Sequence, residues 1–361
     1  MIRGVSIVSK VKSYVTISEL VPSMILAEDV IFDGVTLVSS DVTVTQNIIE
    51  KLKERMLYGK VAVYIEKNEE SETQSIPKEK SVAEIEETFN SYAVDIEKVF
   101  DHEYSNGMND IEEVRKFAKN IQDELNSPRA VVKNIVLYGS GTDTIYRHSV
   151  NVAALSHVLG KWLGLDERKT NLLTYAGILH DFGKTKIDKI ILDKPSMLTS
   201  KEFEAIKNHP VIGYNYVKKI PNLDSSVALG VLMHHERLDG KGYPLMVKEE
   251  KIPDFAKIIA IADIFDAVNS NRFHKHSKGP FEALEIIQKE SLGKLDYQYC
   301  KVFLEHIVNY YMGEQVRLNT DKICKIVQVN INDLNRPLLF DGNDFIDLKY
   351  EKDLVVEELI V

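Results

Sequence analysis

His180-Asp181-Phe182-Gly183-Lys184 ends an apolar run, Asn171 to Leu179, that reads as a helix, and this stretch decides the fold. Working outward, the same residue types recur at Tyr146-Arg147-His148-Ser149, His209-Pro210, His234-His235-Glu236 and Asp263. The loop Asp239-Gly240-Lys241-Gly242-Tyr243-Pro244 lies among them. Five of the chain's ten histidines belong to this pattern, mixed with carboxylates. Neutral imidazoles with ionised carboxylates suit zinc, iron, manganese or nickel, and their number exceeds what one tetrahedral ion needs. Two adjacent ions sharing one carboxylate is the economical reading. Ligands at helix ends and on inward helix faces are how bundle metal sites are built.

The flanking segments read as helices too. Val150 to Leu163 has one apolar face, Thr199 with Glu202 forms a capping box, and Ser225 to His235 is a further helix. Pro253 opens another through Ile258, Ile261 and Ile264, followed by Pro280 to Gln288 and Asp296 to Tyr311. Upstream, Ser81 with Glu84 caps a helix through Phe89 and Ile96. A second runs from Asp110 to Leu125, and apolar residues resume after Pro128.

The ends of the chain have a different texture. Tyr14-Val15-Thr16-Ile17, Val35 to Val38 and Lys60 to Ile65 read as strands, with Asp33-Gly34 as a hairpin signal. Thr45 to Met56 has helical periodicity. Strands return after Gly313, at Lys325 to Val329, Phe345 to Leu348 and Leu354 to Leu359. The expected organisation is a small α+β domain at 1–67, a linker at 68–80, and connecting helices at 81–139. A mainly α domain at 140–312 and a β-rich extension at 313–361 complete it.

Composition excludes several classes. With 361 residues, 44% hydrophobic and 28% charged, the chain is an ordinary folded protein of two or three domains. A net charge of −10 argues against binding a DNA or RNA duplex. Cys300 and Cys324 lack metal-ligand or redox spacing and read as buried apolar residues of a reducing cytoplasm. No window approaches the roughly 18 apolar residues of a membrane span, and Met1 to Lys12 lacks an export-signal core.

In order and approximate spacing, His148, His180-Asp181, His209, His234-His235, Gly242-Tyr243-Pro244 and Asp263 resemble the HD-GYP family. That family is a branch of the HD-domain metal phosphohydrolases that cleaves cyclic di-GMP. The resemblance covers about residues 140 to 310 and implies an HD-type helical bundle. It implies that His148, His180, Asp181 and Asp263 hold one ion, with Asp181 bridging to a second held by His209, His234 and His235. Iron or manganese is the implied metal. A metal-activated hydroxide would attack phosphorus in line with the departing ribose 3′-oxygen, giving pGpG and then GMP. Lys184, Arg272 and Lys275 fall at phosphate-contacting positions, and Tyr243 either meets a phosphate or guanine or stabilises its own loop. Asp181 and Lys184 are the implied catalytic pair.

Two positions depart from the family pattern. Thr144 stands where some members carry a glutamate associated with a third metal, so two ions are expected. His274 replaces an aromatic near the second basic residue. Asp266 either supports a metal ligand or makes a helix-packing hydrogen bond, the packing role being the favoured one, and Glu236 either orients a ligand histidine or faces solvent. Arg237 and Asp239 are expected to hold the loop, while His157 and His306 read as ordinary helix residues. A phosphohydrolase for another cyclic dinucleotide, or a receptor that binds without cleavage, are the rival readings. The first domain is the expected place for a homodimer contact or a signalling partner.

Overall fold

Where apolar residues alternate the chain forms strands, and where they recur every three or four residues it forms helices, giving two separate hydrophobic cores. The computed structural model describes residues 9–32, 35–55, 60–67, 80–106, 112–125, 128–141, 145–194, 196–270 and 280–360. Its contacts divide the chain into two units, Met1–Lys78 and Glu79–Val361.

The first unit contains β1 (Ser9–Thr16), β2 (Ile25–Leu26), β3 (Val30–Phe32), β4 (Val35–Val38), α1 (Gln46–Arg55) and β5 (Lys60–Lys67). β5 lies between β1 and β2 in an antiparallel sheet, and β3 pairs with β4. Asp33-Gly34, the hairpin signal, lies outside the described residues. Ile49 and Leu52 of α1 are buried with Leu26, Val61 and Val63, so the apolar face read from the sequence is the one that packs.

The second unit is predominantly helical. α2 (Val82–Asn106), α3 (Glu112–Glu124) and α4 (Pro128–Tyr138) precede α5 (Ile145–Trp162) and α6 (Glu167–Leu179). The Ser81–Glu84 capping box forms: Ser81 N–H donates to Glu84 Oε2 at 2.6 Å and Glu84 N–H to Ser81 Oγ at 3.2 Å. A 3-10 turn at Phe182–Lys186 leads to α7 (Lys189–Leu192), α8 (Ser200–Lys207), α9 (His209–Val217) and α10 (Ser225–Met233). α11 (Asp254–Ser270), α12 (Glu282–Glu290) and α13 (Tyr297–Ile307) complete the helices. α5 packs between α6, α2 and α11 and is buried almost along its length. Each fully buried Val or Leu there contributes about 1.5–3 kcal/mol of transfer free energy, which makes α5 the natural axis of the unit.

The helix ending in the histidine pair stops at Met233, two residues short of expectation, because His234 begins a loop. α9 was not anticipated: His209 and Pro210 open it, and proline suits the first turn, where its missing N–H costs nothing. The tail folds as one antiparallel sheet in the order β10-β6-β7-β8-β9. Its strands are β6 (Gln315–Leu318), β7 (Ile323–Asn330), β8 (Asp333–Phe340), β9 (Phe345–Asp347) and β10 (Val356–Ile360). β6 and β8 escaped the sequence reading, β8 because it contains Pro337, which reads as a strand breaker. The register against β7 is irregular near that residue. Cys300 and Cys324 are free and buried. No helix among the described residues is long and apolar enough to cross a membrane.

Candidate metal centre

The centre is built at the ends of helices. His180 caps the C-terminus of α6, Asp181 opens the 3-10 turn, His209 starts α9, and His234 follows α10. His148 lies in the first turns of α5 and Asp263 in the middle of α11. Two close approaches bring these ends together. A Cβ on Gly183 would lie 1.9 Å from the carbonyl oxygen of His209, so only glycine lets the His-Asp turn press against the start of α9. A Cβ on Gly242 would lie 2.4 Å from Glu236 Cα and from Arg237 N, so the Gly-Tyr-Pro loop folds back against the residues after the histidine pair.

Each of three rings is fixed by the backbone carbonyl three residues before it. Nδ1 of His180 donates to Gly177 O at 2.7 Å, Nδ1 of His209 to Ile206 O at 2.7 Å, and Nδ1 of His234 to Val231 O at 2.8 Å. A carbonyl can only accept, so Nδ1 carries the proton and Nε2 presents a lone pair. The consequence is strongest between His209 and His234. Their Nε2 atoms face each other at 3.2 Å, and Asp181 Oδ1 lies 3.2 Å from the first and 3.9 Å from the second. Three acceptors thus converge in a buried space with no proton to share. His180 Nε2 and Asp181 Oδ1 are themselves buried without a hydrogen-bond partner. Leaving such groups unmet costs about 1–3 kcal/mol each, and a cation resolves all of them at once.

The ligand atoms fall into two groups, each within 4.8 Å of one another: Asp181, His209, His234 and His235, and then His148, His180 and Asp263. Such spacing suits ligands that each lie about 2.0–2.2 Å from a shared ion. Asp181 Oδ2 turns to the second group, 3.5 Å from His180 Nε2 and 3.8 Å from His148 Nε2. His148 Nε2 is 3.1 Å from Asp263 Oδ1, and His235 Nδ1 is 3.8 Å from Asp263 Oδ2. All seven residues singled out from the sequence therefore meet in one place, with a carboxylate between the two groups. An imidazole–carboxylate set with orphaned buried atoms fits divalent cations.

Electrostatics agree with that fit. Burial opposes ionisation of Asp181 and Asp263, but Lys184 and His180 beside the first, and His148 and His235 beside the second, hold both well below the usual carboxylate range. Burial, reinforced by neighbouring imidazoles, holds His234 well below its ordinary value; burial takes His235 down to about 3. These rings stay neutral at physiological pH, the form that binds metal.

Lys184 Nζ donates to Asp181 Oδ2 at 2.5 Å, so this lysine belongs to the centre. Tyr243 stacks on His235, with ring centroids 4.6 Å apart and planes 29° from parallel. Burial, with Asp263 and Asp181 nearby, raises its phenol pKa, so the hydroxyl keeps its proton. Arg272, Lys275, Thr144 and His274 lie outside the described residues. Arg237 donates to Glu236 O at 3.0 Å, and Asp239 Oδ1 accepts from Lys241 N–H at 3.0 Å, both within the loop.

Two expectations are corrected. Glu236 neither orients a histidine nor faces solvent. It is buried, and its carboxylate accepts the N–H groups of Leu245, Met246 and Val247 at 2.6, 3.1 and 3.2 Å, which anchors the end of the Gly-Tyr-Pro loop. Asp266 does more than pack helices: its Oδ2 accepts from His148 Nδ1 at 2.7 Å and fixes that ring, as outer carboxylates do for metal-binding histidines. Ser140 Oγ and Asn151 Nδ2 also donate to Asp266. Asn151 went unnoticed in the sequence; its position three residues after His148, on the same helix face, was the available signal.

An HD domain family model matches residues 130–298. Over these residues the chain is similar to HD domains. A cyclic di-GMP phosphodiesterase of Pseudomonas aeruginosa is 31% identical over 225 residues, covering 61% of this chain and 54% of that protein. One from Borreliella burgdorferi is 33% identical over 192 residues, covering 53% and 50%. The chain thus spans about half the length of these relatives. Among solved structures, an HDG"Y"P protein from Bdellovibrio bacteriovorus superposes with a TM-score of 0.51 at 18% identity, covering 81% of this chain and 98% of that one. At that identity the likeness is one of fold alone.

Proposed function

We propose that this chain is a metal-dependent phosphodiesterase that hydrolyses cyclic di-GMP to pGpG, and onward to GMP, using two divalent ions of iron or manganese. The observation that carries the reading is the convergence of the His209 and His234 lone pairs on Asp181, a buried arrangement that only a cation completes. His148, His180, Asp181 and Asp263 would hold one ion, and Asp181, His209, His234 and His235 the other. With Thr144 at the position that could recruit a third ion, two is the number proposed. Bound there, the ions supply a lowered pKa for water and neutralise charge on the phosphodiester oxygens.

The chain's own groups supply the rest. Lys184 offers N–H donors beside Asp181 for a second phosphate oxygen. Tyr243 keeps its hydroxyl proton and can donate it to a phosphate or a guanine, while Glu236 fixes the loop that carries it. Arg272 and Lys275 are proposed as further phosphate contacts. Hydrolysis breaks one P–O3′ bond, adds the oxygen of water to phosphorus and leaves the proton on the ribose oxygen. The name shared by the Pseudomonas and Borreliella relatives supports the choice of substrate.

The test is an anaerobic assay of the full chain, reconstituted with Fe²⁺ or Mn²⁺, with products resolved by chromatography. pGpG should form from cyclic di-GMP faster than any product from other cyclic dinucleotides. Intact cyclic di-GMP after long incubation with protein holding two ions would replace the enzyme reading with that of a receptor.

A further inference from the structure

Arg147 precedes His148, points away from the metal groups, and is 1% exposed. A buried guanidinium demands partners for its donors, and every partner here is polar. Nη2 donates to Glu86 Oε2 at 2.8 Å and to Asn134 Oδ1 at 2.9 Å, Nη1 donates to Asn90 Oδ1, and Nε donates to Asn151 Oδ1 at 3.2 Å. Asn134 Nδ2 returns to Glu86 Oε2 at 2.9 Å, and the guanidinium lies 5.4 Å from the Phe89 ring centre. Burial alone would raise the Glu86 pKa; the hydrogen bond and charge of Arg147, with the Asn134 and Asn90 hydrogen bonds, together bring it below the ordinary value, so the pair is ionic.

The Asn151 amide has only one orientation open to it. Its oxygen faces the Arg147 donor, so its nitrogen must face Asp266, and Nδ2 donates to Asp266 Oδ1 at 2.7 Å. The other oxygen of Asp266 receives His148 Nδ1 at 2.7 Å. An unbroken run of hydrogen bonds therefore leads from α2, through Arg147, Asn151 and Asp266, to His148. Arg147, Asn151 and Asp266 are each at most 1% exposed, so these links are shielded from solvent in the folded chain.

We propose that Arg147 is a positioning residue for His148, and that Glu86 and Asn90 on α2 set the occupancy of the His148–His180–Asp263 metal group by holding it. The inference rests on the metal-centre reading above and extends it to a helix that contributes no ligand. Glu86 and Asn90 sit on the first turns of α2. A shift of that segment would reach His148 through three side chains, Arg147, Asn151 and Asp266, whereas the histidines fixed by nearby backbone carbonyls would not feel it.

The test is Mn²⁺ titration of the full chain by electron paramagnetic resonance, comparing the parent with Glu86→Ala/Asn90→Ala, and with Asn90→Ala alone should the double variant fail to fold. Two ions should bind the parent. In either alanine variant one of them should bind about 10–100-fold more weakly, with the other unchanged and far-ultraviolet circular dichroism preserved. Asn90→Asp, which keeps an oxygen opposite Arg147, should restore the affinity. A purely structural role would lower the melting temperature and leave both affinities intact, and that result overturns the proposal while leaving the metal centre standing. A parent that binds no Mn²⁺ sinks the centre itself, and the relay with it.

Discussion

Helix α5 carries two histidines, His148, partly buried near its start, and His157, buried toward its end, and their surroundings make them opposite kinds of group. Burial would lower His148, but hydrogen bonds to Asp263 and Asp266 take it up to about 10 in the metal-free chain. His157 donates through Nδ1 to Thr174 Oγ1 at 2.9 Å, and burial, with Lys161 nearby, takes it down to about 4. Thr174 spends its own proton on Thr170 O, so it can only accept. One ring is held by carboxylates in a place built for positive charge; the other is held by a hydroxyl in a place that refuses it. Residue type and helical position do not distinguish them. The partner does.

The sharpest way to break the contrast is at the carboxylate shared by both metal groups. Asp181→Ala should remove hydrolysis altogether, a larger loss than the roughly 100-fold upper range for outer partners, with the helical core intact by circular dichroism. Turnover at the parent rate would sink the two-ion reading. Next in size is Asp266→Asn, which keeps the shape but weakens the charge that fixes His148. Metal affinity and hydrolysis should fall by about 10–100-fold, measured by metal competition and steady-state rates. The same loss from Thr174→Val would show that burial, rather than the carboxylate, matters at α5.

The smallest effect concerns His157 and acts on stability. Its folded pKa of about 4 lies below the unfolded value of about 6.5. Between those values the unfolded chain binds a proton that the folded chain does not, so stability falls as pH drops through that window, by at most about 3 kcal/mol. His157→Gln cannot bind that proton and should flatten the slope between pH 6.5 and 4 in urea unfolding of the full chain. An unchanged slope would mean that other groups set the acid response.

The same contrast explains what could be read in advance. The metal residues were legible because adjacent and recurring histidines beside apolar helical runs are hard to place anywhere but a metal site. The helices around them were legible from their periodicity and from caps such as Thr199–Glu202, whose reciprocal bonds form as expected. Locally made bonds, such as His180 to Gly177 O, follow once the helix is known. Asp266 and Glu236 were misread because their partners are distant in the chain: His148 lies on another helix, and Leu245 to Val247 lie across a loop. Arg147 stands beside His148, but its role is not legible in the sequence, since nothing in the residues around it points to Glu86 or Asn134. β8 was hidden by Pro337, which a sheet tolerates where the ladder is already irregular.

Gly183 carries one further lesson. With a carbonyl where its side chain would project, the His-Asp turn and the first residue of α9 are pressed together, main chain on main chain. A hydrogen atom is the whole allowance at that point. Random substitution of this codon would return glycine among folded, metal-binding clones and little else, although residue 183 has no side chain to offer a ligand atom.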